Sequence, residues 1–257
     1  DMAGERKWVK YIAKSKHQEG HAASSVLCDG KLLIHITNLR AHDPLTGELI
    51  WESPGQPRSW GTPCPAVVNG TNVVVTGRGR IVRVSDGQQV GVEAGKLEYA
   101  SPLLIDGIMY FIEAGGQAVR LVAGAPDSTN SVAVEKLWTT QPKKDRYYAS
   151  PQLLDGLIYT MHQKNWFSAI DAGTGEVVKG EKLALGDKDA YTSVTLAGGL
   201  LFAGNESGKM AVIQPGREFK VLAVNTLDKF RSTPVFEGGR MYLRTYQFLY
   251  CIGVKNQ

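Results

Sequence analysis

The sequence predicts an all-β chain, a β-propeller of about six repeated four-stranded antiparallel blades, and three observations predict it. Six two-residue turns recur at blade-like intervals, a Ser/Thr-Pro pair opens many of the units, and short apolar runs flank every turn. The turns are Asp29-Gly30, Asn69-Gly70, Asp106-Gly107, Asp155-Gly156, Gly198-Gly199 and Gly238-Gly239, spaced by 40, 37, 49, 43 and 40 residues. A period near 40 to 45 built from short strands is the mark of radially stacked blades, because one such sheet leaves both faces bare.

Each turn is followed by a strand-like run, as in Lys31-Leu32-Leu33-Ile34-His35-Ile36, Ile108-Met109-Tyr110-Phe111-Ile112 and Arg240-Met241-Tyr242-Leu243. Asn-Gly and Asp-Gly accept the positive φ that a tight hairpin demands. Upstream stand Ser101-Pro102, Ser150-Pro151 and Thr233-Pro234, with Thr62-Pro63 and Cys64-Pro65 as looser copies. Proline fits there because the first residue of a strand need not donate to the ladder.

Composition agrees. The 257 residues are 43% hydrophobic and 21% charged, with 29 glycines and 10 tyrosines, values that suit a globular chain rich in turns and strands. The net charge of +4 comes from 29 basic and 25 acidic residues without a dominant basic block, so a nucleic-acid track is not expected. Cys28, Cys64 and Cys251 are too few and too far apart for a disulfide framework or a zinc ribbon, and read as small buried hydrophobes. No apolar stretch approaches the roughly 20 residues that span a bilayer.

The turn after the third strand carries a longer pattern. The first unit reads Ala41-His42-Asp43-Pro44-Leu45-Thr46-Gly47-Glu48-Leu49-Ile50-Trp51, and the fourth reads Ala169-Ile170-Asp171-Ala172-Gly173-Thr174-Gly175-Glu176-Val177-Val178-Lys179. This pattern resembles the tryptophan-docking motif of the pyrroloquinoline-quinone (PQQ)-like propeller repeat family, within the quinoprotein dehydrogenase-like superfamily. In that family the alanine packs closely, the aspartate and glycine shape a turn, and the tryptophan docks on the neighbouring blade. The fourth copy has Lys179 in the tryptophan position. Other copies are more degenerate: Val84-Ser85-Asp86-Gly87 in the second, an insertion before Leu137-Trp138 in the third, and Gln214-Pro215-Gly216 in the fifth.

A single domain over residues 1–257 is expected. The sixth unit ends after Tyr250-Cys251-Ile252 without an outer strand, while Lys7-Trp8-Val9-Lys10-Tyr11-Ile12 precedes the first unit. Pairing the two would close a six-bladed ring and remove an exposed edge. The resemblance also includes eight-bladed rings, of which this chain would be the C-terminal part.

Propellers bind ligands where inner strands begin and loops converge. Just before those strands stand His21, Trp60, Tyr99, Tyr148, Tyr191 and Phe230-Arg231. They form the candidate site: an aromatic platform for a planar or acidic ligand, with Arg231 pairing a carboxylate. The plainer reading is that these aromatics pack between blades. His17-Gln18-Glu19-Gly20-His21 lacks zincin spacing, and Gly20 disfavours a helix, so no metal site is expected there. Gly77-Arg78-Gly79-Arg80 lacks the third glycine and the helix of a dinucleotide loop and reads as a hairpin turn. His35, His42 and His162 read as surface or satisfied residues.

What the resemblance implies is double. Enzymes of the family hold PQQ between a tryptophan and a disulfide of adjacent cysteines, beside calcium, and no Cys-Cys pair exists here. The leading expectation is therefore an exported bacterial propeller, periplasmic or extracellular, that serves as a binding scaffold for a small-molecule or protein ligand at its channel mouth, with no cofactor evident. The alternatives are a PQQ- and calcium-dependent alcohol or sugar dehydrogenase, and an outer-membrane assembly-type scaffold.

Overall fold

A computed structural model describes residues 3–14, 20–55, 59–125 and 131–253. Among the described residues the chain is all-β, and the strands fall into six antiparallel sheets, the blades of a propeller. Five sheets have four strands and the sixth has three. The first comprises β1 (Val26–Cys28), β2 (Lys31–His35), β3 (Leu39–His42) and β4 (Leu49–Ser53); the second comprises β5 (Cys64–Val68), β6 (Thr71–Val75), β7 (Ile81–Arg83) and β8 (Gln89–Gly91). The third holds β9 (Leu103–Ile105), β10 (Ile108–Ile112), β11 (Gly116–Ala123) and β12 (Val132–Thr140). The fourth holds β13 (Gln152–Leu154), β14 (Leu157–Met161), β15 (Trp166–Asp171) and β16 (Val177–Lys182). The fifth holds β17 (Thr195–Ala197), β18 (Leu200–Gly204), β19 (Lys209–Gln214) and β20 (Lys220–Thr226), and the sixth β21 (Val235–Glu237), β22 (Arg240–Arg244) and β23 (Leu249–Gly253).

All six two-residue turns lie where the sequence places them, between the first and second strands of each sheet. Both residues of each turn have positive φ, from 47° to 56° at the first and 68° to 76° at the second. That is the type I′ geometry whose twist matches paired strands, and it explains the Asp, Asn and Gly found there.

The chain forms two compact units. One comprises Asp1–Phe111 with Gln117–Leu137, the other Ile112–Gly116 with Trp138–Gln257. In the first unit, Leu33, Leu39, Ala41 and Trp51 pack on Val74, Val82 and Val84, while Val73, Val75, Ile81 and Leu97 meet Met109, Phe111 and Val119. In the second, Tyr159, Met161, Phe167 and Ala169 pack on Leu201, Ala203, Ala211 and Ile213. β14 is buried at all five positions, as expected of a strand covered on both faces, whereas all seven residues of the outer strand β20 are exposed.

The docking pattern is realised in side-chain detail. In the first copy Asp43 Oδ1 accepts the N–H groups of Leu45 and Thr46, both at 2.8 Å, and Ala41 is fully buried. Trp51 Nε1 donates to Val84 O at 2.9 Å, and its ring lies against Gly87. Trp138 repeats this on Ala172 and Gly175. Trp8 does the same on the first turn, donating to Pro44 O at 3.0 Å with its ring against Gly47. Among the described residues, 7–12 belong to no strand, so Trp8 docks without a ladder of its own.

Candidate functional site

The strand-opening segments are tied together by hydroxyl groups. In the first unit the Ser24 N–H donates to Thr62 Oγ1 at 3.0 Å, and the Thr62 N–H to Ser101 Oγ at 2.9 Å. In the second, the Ser150 N–H donates to Ser193 Oγ and the Ser193 N–H to Thr233 Oγ1, both at 3.0 Å. Each link passes from one blade to the next. Thr62, Ser101 and Thr233, each before a proline, and Ser193, before Val194, are thus acceptors for a neighbouring blade, which gives the hydroxyl position a cause beyond strand initiation.

These links fix the register of the candidate residues. Counting back from the hydroxyl, Trp60, Tyr99, Tyr148, Tyr191 and Arg231 occupy one equivalent position, whereas in the first blade that position is Ala22. His21 stands one residue earlier and is exposed, equivalent to the buried Tyr147 and Phe230. His17, Gln18 and Glu19 lie outside the described residues. In the first unit the Trp60 N–H donates to Glu98 O at 2.8 Å, which sets the Trp60 segment beside the one carrying Tyr99.

In the second unit three candidates come together. The rings of Tyr148 and Tyr191 stack with centroids 4.7 Å apart and planes 14° from parallel. The Arg231 guanidinium lies 4.3 Å from the Tyr191 ring centre, a cation–π contact. Arg231 also pairs with Glu206, Nη2 to Oε1 at 2.7 Å and Nε to the same oxygen at 2.9 Å. Tyr246 Oη donates to that oxygen at 2.7 Å, and Arg146 Nη1 donates to Tyr148 Oη at 3.4 Å. The result is a half-exposed ladder of Tyr148, Tyr191 and Arg231, closed by Glu206 and Tyr246.

Glu206 and Tyr246 were not singled out from the sequence. Each follows a strand-two end, at Asn205-Glu206 and Thr245-Tyr246, one repeat apart. Their backbones hold the ladder in place: the Glu206 N–H donates to Asp189 O at 3.0 Å and the Tyr246 N–H to Lys229 O at 2.9 Å. Gln163 does likewise toward Arg146 O at 3.0 Å. The recurrence of these turns at blade spacing was the available signal.

Electrostatics follow the geometry. Burial raises the Glu206 carboxyl, but the Tyr246 hydroxyl and the Arg231 guanidinium outweigh it, leaving the group below its ordinary range. Burial likewise raises the Tyr191 phenol, partly offset by Arg231. The array is thus an ion pair backed by aromatic rings at neutral pH. One face of Tyr148 lies against one face of Tyr191, and the carboxylate partner of Arg231 comes from the chain itself. Among the described residues, no group of three or more His, Cys, Asp or Glu is arranged to hold a metal ion. No helix among them is long and apolar enough to cross a membrane.

Comparison with known proteins bears on the fold. A family model described as outer membrane protein assembly factor BamB matches residues 37–257. Among curated proteins no relative matches. The crystal structure of BamB from Moraxella catarrhalis superposes with a TM-score of 0.66 at 14% identity, over 94% of this chain and 73% of that one. A quinohemoprotein alcohol dehydrogenase from Pseudomonas putida superposes with a TM-score of 0.57 at 16% identity, over 83% of this chain and 43% of that one.

Proposed function

The chain belongs to the BamB-like family of PQQ-like propellers, and on that premise we propose that it is a binding scaffold of an exported bacterial protein, contacting a polypeptide partner through the ladder of Tyr148, Tyr191 and Arg231. The observation that carries this reading is the Tyr148–Tyr191 stack capped by Arg231. Tyrosine and arginine dominate the energetic centres of protein interfaces. A ladder already stacked and ion-paired loses little side-chain freedom on binding, which favours a partner that lies across it. A planar cofactor sandwiched between the two tyrosines would have to separate rings that already stack on each other.

The family description speaks of outer-membrane protein assembly. A client of that kind presents alternating apolar and polar residues with aromatic girdles, suited to rings on one side and an ion pair on the other. The test is site-specific photo-crosslinking from position 191, with an unfolded outer-membrane β-barrel protein as probe and position 27, on β1 in the other unit, as control. Crosslinks from 191 that fade when Arg231 is changed to alanine support the reading. Equal crosslinking from both positions, or none from either, defeats it.

A further inference from the structure

The first unit holds a cleft of about 760 Å³ lined by Arg78, Arg80, Val92, Glu93, Gly95, Lys96 and Gln117. Its floor comes from the Gly77-Arg78-Gly79-Arg80 hairpin between β6 and β7. That turn is closed by the Thr76 N–H to Arg80 O and the Gly79 N–H to Thr76 O, both at 2.9 Å. The facing wall is the 92–97 segment, fastened by the Ala94 N–H to Gly79 O at 3.1 Å and the Leu97 N–H to Gly77 O at 2.6 Å. Gln117 braces the wall from β11, donating Nε2 to Ala94 O at 2.9 Å.

Two glycines make the walls meet. A Cβ on Gly79 would stand 2.3 Å from Gly95 O, and one on Gly95 would enter the Phe111 ring at 2.2 Å. The cleft is therefore a fixed feature, and three cationic side chains line it. Arg80 Nη1 donates to Gln89 Oε1 at 3.2 Å, a neutral partner that orients the guanidinium and leaves its charge uncompensated. Arg78 meets Glu98 at 4.0 Å. Among the described residues Lys96 has no ion-pair partner, and Glu93 is the sole carboxylate lining the space.

From this arrangement we propose that the cleft is an anion site for a small molecule bearing two or more phosphate or carboxylate groups. Arg80, half-buried and held by a neutral partner, takes one anionic group with its guanidinium fork, and Arg78, two positions earlier in the turn, adds positive charge beside it. Lys96 on the opposite wall takes the second as a point charge. Low local exposure of the arginines strengthens the attraction relative to open surface. This site is independent of the ladder in the second unit.

The test is isothermal titration of the whole chain with pyrophosphate and with citrate, at about 25 mM and about 200 mM sodium chloride. Saturable binding that weakens with salt is expected, and Lys96→Gln or Arg80→Gln weakens it about tenfold while Arg217→Gln, in the other unit, leaves it unchanged. Lys96 is exposed and has no ion-pair partner among the described residues, so its variant keeps the fold; a matching thermal midpoint verifies this. Binding of pyrophosphate alone assigns a phosphorylated ligand, and binding of both assigns a general polyanion. No saturable binding of either probe at about 10 mM, or binding that ignores the Lys96 and Arg80 changes, overturns the proposal.

Discussion

The indole N–H of Trp138 donates to Ala172 O at 2.9 Å, while its ring fills the space where Gly175 would carry a side chain, 2.6 Å from an ideal Cβ. Gly175 also has φ +77°, a conformation that L side chains resist. Gly175→Ala therefore meets backbone strain and a clash together and is expected to cost about 3 kcal/mol. Trp138→Ala should cost a similar amount, about 3 kcal/mol, by removing packing and a hydrogen bond. Because the two groups touch, the double variant should lose less than the sum, which urea denaturation of all three variants measures.

Lys179 extends this relationship to the junction where tryptophan is missing. Its Nζ donates to Phe219 O at 3.0 Å and lies 4.6 Å from the Phe219 ring centre, so the lysine reaches the neighbouring turn as the indole would. Glu181 and Glu218 flank it at 3.7 Å. Lys179→Ala is expected to cost about 1 kcal/mol, clearly less than Trp138→Ala, by the same denaturation measurement.

The hydroxyl link from Ser193 to Thr233 makes a separate prediction. Thr233→Val keeps the shape but removes the acceptor, so the Ser193 amide should exchange with solvent about tenfold faster. Thr233→Ser should leave its exchange rate close to that of the parent. Amide exchange read by NMR at Ser193 decides between a structural link and an incidental contact.

His35 predicts the acid response of the first unit. Burial pushes its imidazole down to about 4, with a smaller contribution from neighbouring His21. Between about 6.5 and about 4 the unfolded chain binds a proton there that the folded chain does not, so stability rises with pH across that window and is full above it. The stabilisation lost by pH 4 is roughly 3 kcal/mol, since each tenfold weakening of proton affinity is worth about 1.4 kcal/mol. Urea midpoints measured from pH 4 to pH 7 should show this slope, and His35→Phe should flatten it.

Cysteine chemistry should separate by environment. Burial pushes the Cys64 thiol up to about 11, while Cys251 is exposed rather than buried as the sequence suggested. Alkylation near pH 8 should label Cys251 first and Cys64 slowly, because the thiolate is the reacting form. Mass spectrometry over a time course reads the order.

Much of the fold was legible because its signals are local. A type I′ turn needs two residues with positive φ, and all six Asp-Gly, Asn-Gly and Gly-Gly pairs declare it. The docking motif was legible where Trp51 and Asp43 stand together, since the turn and the indole are encoded within a few residues. What Lys179 does in place of tryptophan was not, because its target, Phe219, lies forty residues on. Gly91 stands where the second copy lacks a tryptophan, and a Cβ there would meet Ile81 Cδ1 at 2.8 Å and Val132 O at 2.9 Å, groups that its own position in the sequence does not announce.

The candidate site was legible in part for the same reason. Tyr148, Tyr191 and Arg231 share a place in the repeat, so counting found them. Glu206 and Tyr246 meet them only through the third dimension, where one carboxylate oxygen gathers Arg231 and Tyr246. In the first blade Ser24 donates to Thr62, so the equivalent position is Ala22 and not His21, which stands one residue earlier.

The most direct measurement is an equilibrium titration of the purified chain with PQQ, with and without calcium, followed by tryptophan fluorescence. A scaffold that binds a polypeptide across the ion-paired ladder predicts no saturable quenching up to about millimolar quinone, whether or not calcium is present. Saturable, calcium-dependent quenching would contradict that account and return the chain to the quinone-dependent oxidoreductases.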